Sequence, residues 1–376
     1  MSNSPLYFDI AATTPLDKDV ANLMNTINLE NFGNPSSIHS FGQKSHNIVE
    51  RSREKIAKIL NCKSSELFFT SGGSESNNIV LKGVLEKGDH FITSSYEHPS
   101  VLGLTDELQE KGIEITFIKP NQDGMLNALD IKKAFKENTK MVSIMYVNNE
   151  LGTINPIKDI AQLCNEHNIL FHTDAVQYVG KKNINLNDSH IDFLSIGAHK
   201  FYGPKGIGLL YCKSGKKVTP LISGGGQESG LRAGTENISS IAGMALALEI
   251  AHSTYGENKK NILELEKYFI DTLNKADINY RVNGSNRLSG IFNITFFNVQ
   301  GHSLLMNLDI MGIAISYGSA CSSGSANAPL ALLEIGMPKE EAACSVRISI
   351  GKMITKQDID KLIKSLSAII VRIQKK

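Results

Sequence analysis

Phe193-Leu-Ser-Ile-Gly-Ala-His-Lys-Phe-Tyr-Gly-Pro-Lys-Gly206 reads as an apolar strand that ends in a His-Lys pair and then breaks into a turn rich in glycine and proline. A lysine held at a strand end inside an apolar cavity can lose its proton and form a Schiff base with a carbonyl cofactor. Lys200 is therefore a candidate anchor for pyridoxal phosphate. Most lysines are solvated surface charges, so this reading stands only if other parts of the chain supply the remaining contacts such a cofactor needs.

Outward from that stretch, helix-period segments alternate with short β-rich runs between about residues 50 and 253. The runs are 67–69, 91–93, 113–118, 141–147, 169–172, 193–196 and 207–211. This alternation predicts an α/β domain with a mostly parallel seven-stranded sheet flanked by helices. In the helical segment 157–166, Ile157, Ile160, Ala161 and Cys164 recur on one face, which favours Cys164 as a core residue over a reactive thiol. Farther on the rhythm changes: a long helix at 259–275, a strand at 290–297, a helix at 303–310, a strand at 346–350 and a closing helix at 356–373. At 376 residues the chain exceeds what one hydrophobic core usually serves. The expected division is a large α/β domain over 15–255 and a smaller α+β domain formed by 1–14 and 256–376.

Composition narrows the function classes. The 39 basic and 38 acidic side chains leave a net charge of +1, which shows no broad footprint for nucleic acid or an anionic membrane. The first ten residues lack a basic, apolar secretory pattern, and no stretch reaches the apolar length needed to span a bilayer. The five cysteines, at 62, 164, 212, 321 and 344, are scattered and form no C-x-x-C pair. A reduced, cytoplasmic setting suits them better than a disulfide framework or a zinc site. Cys62, Cys212 and Cys344 lie beside apolar segments, so burial is expected for each.

Several strand ends carry residues with chemistry. Thr70-Ser-Gly-Gly-Ser-Glu-Ser-Asn-Asn78 follows the first run and opens into a helix. Glycines let backbone N–H groups converge and a helix start adds a favourable dipole, so the segment is either a phosphate cup containing Gly73 and Ser74 or a helix start capped by Ser74. His98, in Ser94-Ser-Tyr-Glu-His-Pro-Ser-Val101, lies where the chain leaves a strand, and either stacks on a cofactor ring and shuttles a proton or starts a helix. Asp174, in Phe171-His-Thr-Asp-Ala-Val-Gln177, either pairs with a pyridinium nitrogen or forms a turn, and Gln177 is placed to donate to a ring hydroxyl.

Cys321 sits in Ser316-Tyr-Gly-Ser-Ala-Cys-Ser-Ser-Gly-Ser-Ala-Asn-Ala-Pro329, a stretch of small residues without apolar period. Such composition is that of a mobile loop, either carrying a nucleophile to and from a pocket or serving as a linker with an incidental thiol. Arg347 breaks the alternating run Ser345-Val-Arg-Ile-Ser-Ile-Gly351, where a guanidinium either snorkels to solvent or grips a carboxylate in bidentate fashion. Thr235 lies in a glycine-rich segment that ends at a helix start, within reach of a phosphate.

Together these motifs resemble the cysteine desulfurases of the NifS/IscS-like class, among the fold-type I pyridoxal-phosphate enzymes. The likeness runs from Asp9-Ile-Ala-Ala-Thr-Thr-Pro15 through Gly33-Asn-Pro-Ser-Ser37, Val147-Asn-Asn-Glu-Leu-Gly152 and the His-Lys stretch to Gly318-Ser-Ala-Cys-Ser-Ser-Gly324. The resemblance implies that Lys200 holds the cofactor as an imine, that His98 stacks on its ring and assists proton transfer, that Asp174 pairs with the ring nitrogen and that Gln177 contacts the ring hydroxyl. It further implies phosphate contacts from Gly73, Ser74 and His199, with Thr235 contributed by the partner of a homodimer. Asn149 and Arg347 would hold the carboxylate of the L-cysteine substrate. Cys321 would accept the sulfur as a persulfide, on a loop of the long-loop branch, for delivery to an acceptor such as an iron-sulfur scaffold or the tRNA-thiolation machinery.

Two departures from the family pattern stand out. Relatives commonly carry a hydroxyl residue two positions before the histidine of the His-Lys pair, where this chain has Gly197, so weaker cofactor retention is expected. The chain also stops soon after its closing helix, without the longer tail that some relatives use to dock a scaffold protein. The rival readings are a selenocysteine lyase or aminotransferase on the same scaffold, which would not need Cys321, and a non-catalytic sulfur-delivery adaptor, which would bind no cofactor.

Overall fold

The structure, a computed structural model, describes residues 5–318 and 328–374. Twelve strands are present among the described residues: β1 (Leu6–Tyr7), β2 (Leu67–Thr70), β3 (His90–Ser94), β4 (Glu114–Ile118), β5 (Thr139–Ser143), β6 (Leu170–Asp174), β7 (Phe193–Gly197), β8 (Gly208–Cys212), β9 (Tyr280–Asn283), β10 (Ile291–Phe296), β11 (Ile313–Ala314) and β12 (Ser345–Ser349). Seven of them form one sheet in the order β2-β8-β7-β6-β5-β3-β4. Only β8 runs against its neighbours, pairing antiparallel with both β7 and β2.

The apolar runs are continuous because both faces of this sheet are covered. Ile92, Val142, Phe171, Leu194 and Leu209 join one buried cluster, packed with residues of the helices Ser40–Leu60, Ile157–Glu166 and Ile238–Ser253. Their chain neighbours Phe91, Met141, Phe193 and Leu210 point the other way, into a cluster built with the helix Gly73–Val84 and with Val101 and Leu108. The two-residue period of a strand thus feeds two cores. The run expected at 141–147 is shorter as a strand, ending at Ser143. Ile144 and Tyr146 nevertheless still donate to the carbonyls of His172 and Asp174, so the chain continues along β6 while turning toward the site.

A separate cluster surrounds the antiparallel sheet β12-β10-β9, where Phe269 and Leu273 of the helix Tyr255–Asn274 and Leu362, Leu366 and Ile369 of the helix Lys356–Gln374 pack on Phe292, Ile294 and Ile348. Phe8 belongs to the same cluster, and β1 pairs parallel with β11. β9 and this two-stranded pair are absent from the sequence expectation; each is only two to four residues long, too short to show a period. Among the described residues, no helix is long and apolar enough to cross a membrane.

Candidate active site

Residues just beyond the carboxyl ends of β5, β6 and β7 line one cavity of about 200 Å³. Gly73, Ser74, His98, Asn149, Asp174, Gln177, His199, Lys200 and Arg347 all face it. Open parallel sheets collect ligands at this edge, where chain segments diverge and helix starts point inward. Thr235 does not line the cavity; it is exposed in the segment that precedes the helix Ile238–Ser253. Cys321 lies outside the described residues.

Lys200 ends the short 3-10 turn Ala198–Lys200 that follows β7. Its Nζ donates to the carbonyls of Ala11 and Ala12 at 2.8 and 2.7 Å. The N-terminal segment reaches the turn by a set of bonds: Thr14 N and Oγ1 both donate to His199 O at 2.9 Å, and Thr14 Oγ1 accepts from Tyr202 N at 2.7 Å. Burial, then the neighbouring Lys200, pull the His199 imidazole down to about 4, so it is neutral at physiological pH, with Nδ1 3.0 Å from Thr13 Oγ1.

Asp174 closes β6. Its Oδ2 accepts from Asn77 Nδ2 at 2.8 Å and its Oδ1 from Val176 N at 3.0 Å, while only 7% of the residue is exposed. Gln177 Nε2 donates to Ala11 O at 2.7 Å, and its Oε1 accepts from Lys181 Nζ at 2.7 Å. A backbone carbonyl can only accept a hydrogen bond, so Ala11 O decides which end of the Gln177 amide is the donor. Burial, with Lys200 and Arg347 nearby, pulls Lys181 itself down to about 7.

His98 caps the short helix Pro99–Leu102, with Nδ1 accepting from Ser100 N at 3.1 Å. Its chain neighbour Glu97 is buried, and Oε1 accepts from Ser94 Oγ at 2.5 Å and from Met145 N at 2.9 Å. Desolvation raises the Glu97 carboxyl to about 8, with Asp174 adding to the effect.

The helix Gly73–Val84 begins at Gly72 with no side-chain cap. Ser74 is therefore not the cap that one reading of the sequence made it. The uncapped first-turn amides remain available to an anion. A Cβ on Gly73 would fall 2.4 Å from Val176 Cγ2, so only glycine allows this close approach of backbone to the cavity wall. An anion cradle at a helix start, a carboxylate at one strand end and a lysine at the next are the donor set that pyridoxal phosphate requires, and these residues fit it.

Sequence reasoning passed over Asp9, Asn77, Glu97, Ser100, Asn148 and Lys181. Asn148 is adjacent to a predicted site residue, and its Oδ1 accepts from Glu150 N and Leu151 N at 2.9 and 2.8 Å, shaping the turn that presents Asn149. Of the other thiols, Cys164, Cys212 and Cys344 are buried as expected, whereas Cys62 is only half-buried. Burial pushes Cys62 and Cys164 up to about 12 and Cys212 to about 11, leaving them protonated and weakly nucleophilic.

The aminotransferase class-V family model matches residues 6–362. The chain is 45% identical over 375 residues to the cysteine desulfurase IscS of Dictyoglomus turgidum, spanning 98% of this chain and 95% of that protein. A solved NifS-like protein superimposes with a TM-score of 0.91 at 34% identity, over 98% of this chain and 99% of that one. The solved structure of SspA in complex with cysteine does so with a TM-score of 0.81 at 38% identity, over 92% and 99%. The chain belongs to the class-V aminotransferase family and, within it, groups with the cysteine desulfurases; its fold is that of the fold-type I enzymes.

Proposed function

We propose that this class-V family member is a pyridoxal-phosphate-dependent cysteine desulfurase, taking sulfur from L-cysteine to leave L-alanine and a persulfide on Cys321. The observation that carries the reading is the convergence of Lys200, Asp174, His98 and Arg347 on one cavity. Bound there, pyridoxal phosphate supplies an electron sink conjugated to the amino acid's Cα. Gly73, Ser74 and His199 would hold its phosphate, Asp174 its ring nitrogen, Gln177 its ring hydroxyl and Lys200 its carbonyl carbon.

Lys200 is the base that takes the Cα proton, with the carbonyls of Ala11 and Ala12 to receive its ammonium. His98 carries a proton at the face of the site. Arg347 and Asn149 orient the substrate carboxylate. The Cys321 thiolate attacks the substrate sulfur; an S–S bond forms as the Cβ–S bond breaks, and the electron pair with a proton goes to the carbon that becomes the methyl group of alanine. Thr235, exposed on its own subunit, would complete the phosphate site of a second copy in a homodimer. Residues 15–255 would form the cofactor-binding domain, with 1–14 and 256–376 forming the domain that carries Cys321. We infer a cytoplasmic enzyme whose sulfur goes to an acceptor protein for iron-sulfur cluster assembly or tRNA thiolation.

The test is incubation of the purified, cofactor-loaded protein with L-cysteine, measuring alanine and sulfide with and without reductant. Cys321→Ala should retain the cofactor's visible absorbance and release neither product. A colourless protein after reconstitution, or turnover indifferent to Cys321, would sink the reading.

A further inference from the structure

We propose that Ser100, oriented by Asn77, is a positioning residue that fixes which nitrogen of His98 bears the proton. Asn77 is fully buried and lies between two groups of the site. Its Nδ2 is 2.8 Å from Asp174 Oδ2 and 2.8 Å from Ser100 Oγ. Chemistry settles the orientation of this amide, because its carbonyl oxygen placed against a carboxylate would set acceptor against acceptor. Both Asn77 N–H groups are then spent, one on Asp174 and one on Ser100.

The direction of every later bond follows. Ser100 Oγ receives a hydrogen from Asn77 and keeps its own hydroxyl hydrogen to give, and His98 Nδ1 lies 2.8 Å away. The Ser100 backbone N–H points at the same nitrogen, at 3.1 Å. Two donors converging on Nδ1 require a lone pair there, and the neutral imidazole keeps its proton on Nε2. One buried amide therefore links the Asp174 carboxylate to the tautomer of His98, joining three separate stretches of the chain. In the reaction, this makes Nε2 the proton-bearing atom of the ring; the opposite tautomer would offer an acceptor there. The inference rests on the reading of His98 as the site's proton carrier, but its readout does not.

The experiment is long-range proton–nitrogen NMR of the full chain labelled with 15N-histidine, with and without bound pyridoxal phosphate. The His98 signals are identified by their loss in His98→Gln, and spectra are taken where the ring is neutral. Wild type should show an unprotonated Nδ1 and a protonated Nε2. Ser100→Ala should raise the share of the Nδ1-protonated form about fivefold, the equivalent of one neutral hydrogen bond, and Ser100→Thr should restore the wild-type pattern. Asn77→Asp puts a second carboxyl beside Asp174, the two sharing one proton, and replaces the amide donor to Ser100 by an oxygen that draws the serine hydroxyl hydrogen; it should move the equilibrium in the same direction as Ser100→Ala. A wild-type ring protonated on Nδ1, or a Ser100→Ala spectrum identical to wild type, would overturn the proposal. Failure to bind cofactor or to release alanine would instead overturn the desulfurase reading and leave the tautomer result intact.

Discussion

Arg347 Nη2 lies 2.7 Å from Asp9 Oδ1, an ion pair that ties β12 to the N-terminal segment at the wall of the cavity. Arg347 is 1% exposed, donates through Nη1 to Asn149 O at 2.7 Å, and has no partner for Nε among the described residues. Removing Asp9 would leave a buried cation with a single carbonyl acceptor. Asp9→Ala should therefore lower folding stability by about 3–5 kcal/mol, read from the denaturant midpoint. Arg347→Lys cannot reproduce the planar set of donors and should raise KM for L-cysteine about tenfold or more with a smaller change in kcat. An unchanged KM would remove Arg347 from the substrate site.

At Gly197 the backbone is in the ordinary extended region, with φ −128°. A Cβ there would sit 3.4 Å from Val176 Cγ1 and 3.7 Å from Gly73 N, which are ordinary contacts. A hydroxyl placed at this position would thus reach the phosphate cradle beside Gly73. Gly197→Ser should slow loss of pyridoxal phosphate on dialysis about tenfold, the value of one hydrogen bond to a charged group. Tight retention by the unmodified chain that also survives Thr235→Ala would show that backbone donors already suffice.

Glu97 gives the stability a definite slope with pH. Its folded value of about 8 stands above the ordinary 4.5, so between the two the folded chain holds a proton that the unfolded chain has released. Stability contributed by this group is present below about pH 4.5 and declines as pH rises toward about 8. The slope is about 1.4 kcal/mol per pH unit at its steepest. Glu97→Gln copies the protonated carboxyl and should flatten that part of the profile in urea titrations. An unaltered profile would mean that Glu97 is ionised in the folded state.

Arg53 and Glu228 form a second enclosed pair, with Nη1 and Nη2 2.7 and 2.9 Å from the two carboxylate oxygens. Glu228 also accepts from Phe69 N at 2.8 Å, so it anchors β2 to the segment around Gly226. Glu228→Ala should cost about 1–3 kcal/mol, since it strands the buried Phe69 N–H and leaves Arg53 with only Glu50 and the Leu67 carbonyl as acceptors. The double variant Arg53→Met with Glu228→Gln should cost less than Glu228→Ala alone, because the glutamine still accepts from Phe69 and no charge is left unpaired. Additive losses would show that the pair is not energetically coupled.

Much of the framework was legible in the linear chain because the large sheet is buried on both faces, and such strands appear as unbroken apolar runs. The helix Ile157–Glu166 begins and ends where its period does. The placement of Lys200, Asp174 and His98 on one cavity was legible for a related reason: each lies just past an apolar run. Asn77 and Asn78 show the limit. They are adjacent and chemically identical, yet Asn77 bridges Asp174 and Ser100 while Asn78 turns back to Ser74 O at 2.8 Å. Only the rotation of their helix against the sheet separates them.

Local pattern was enough to establish the alternation of strands and helices and the positions of the lysine, the carboxylate and the glycine-rich helix start, since each depends on residues within a few places of one another. Folding in three dimensions decided what those groups meet. Ala11 and Ala12 come to Lys200 across 189 and 188 residues, and Asp9 comes to Arg347 across 338. Hydrogen bonds and desolvation act over a few ångströms of space, whereas periodicity records only neighbours along the chain, so the partners that govern protonation and charge at this site became visible only once the sheets had packed.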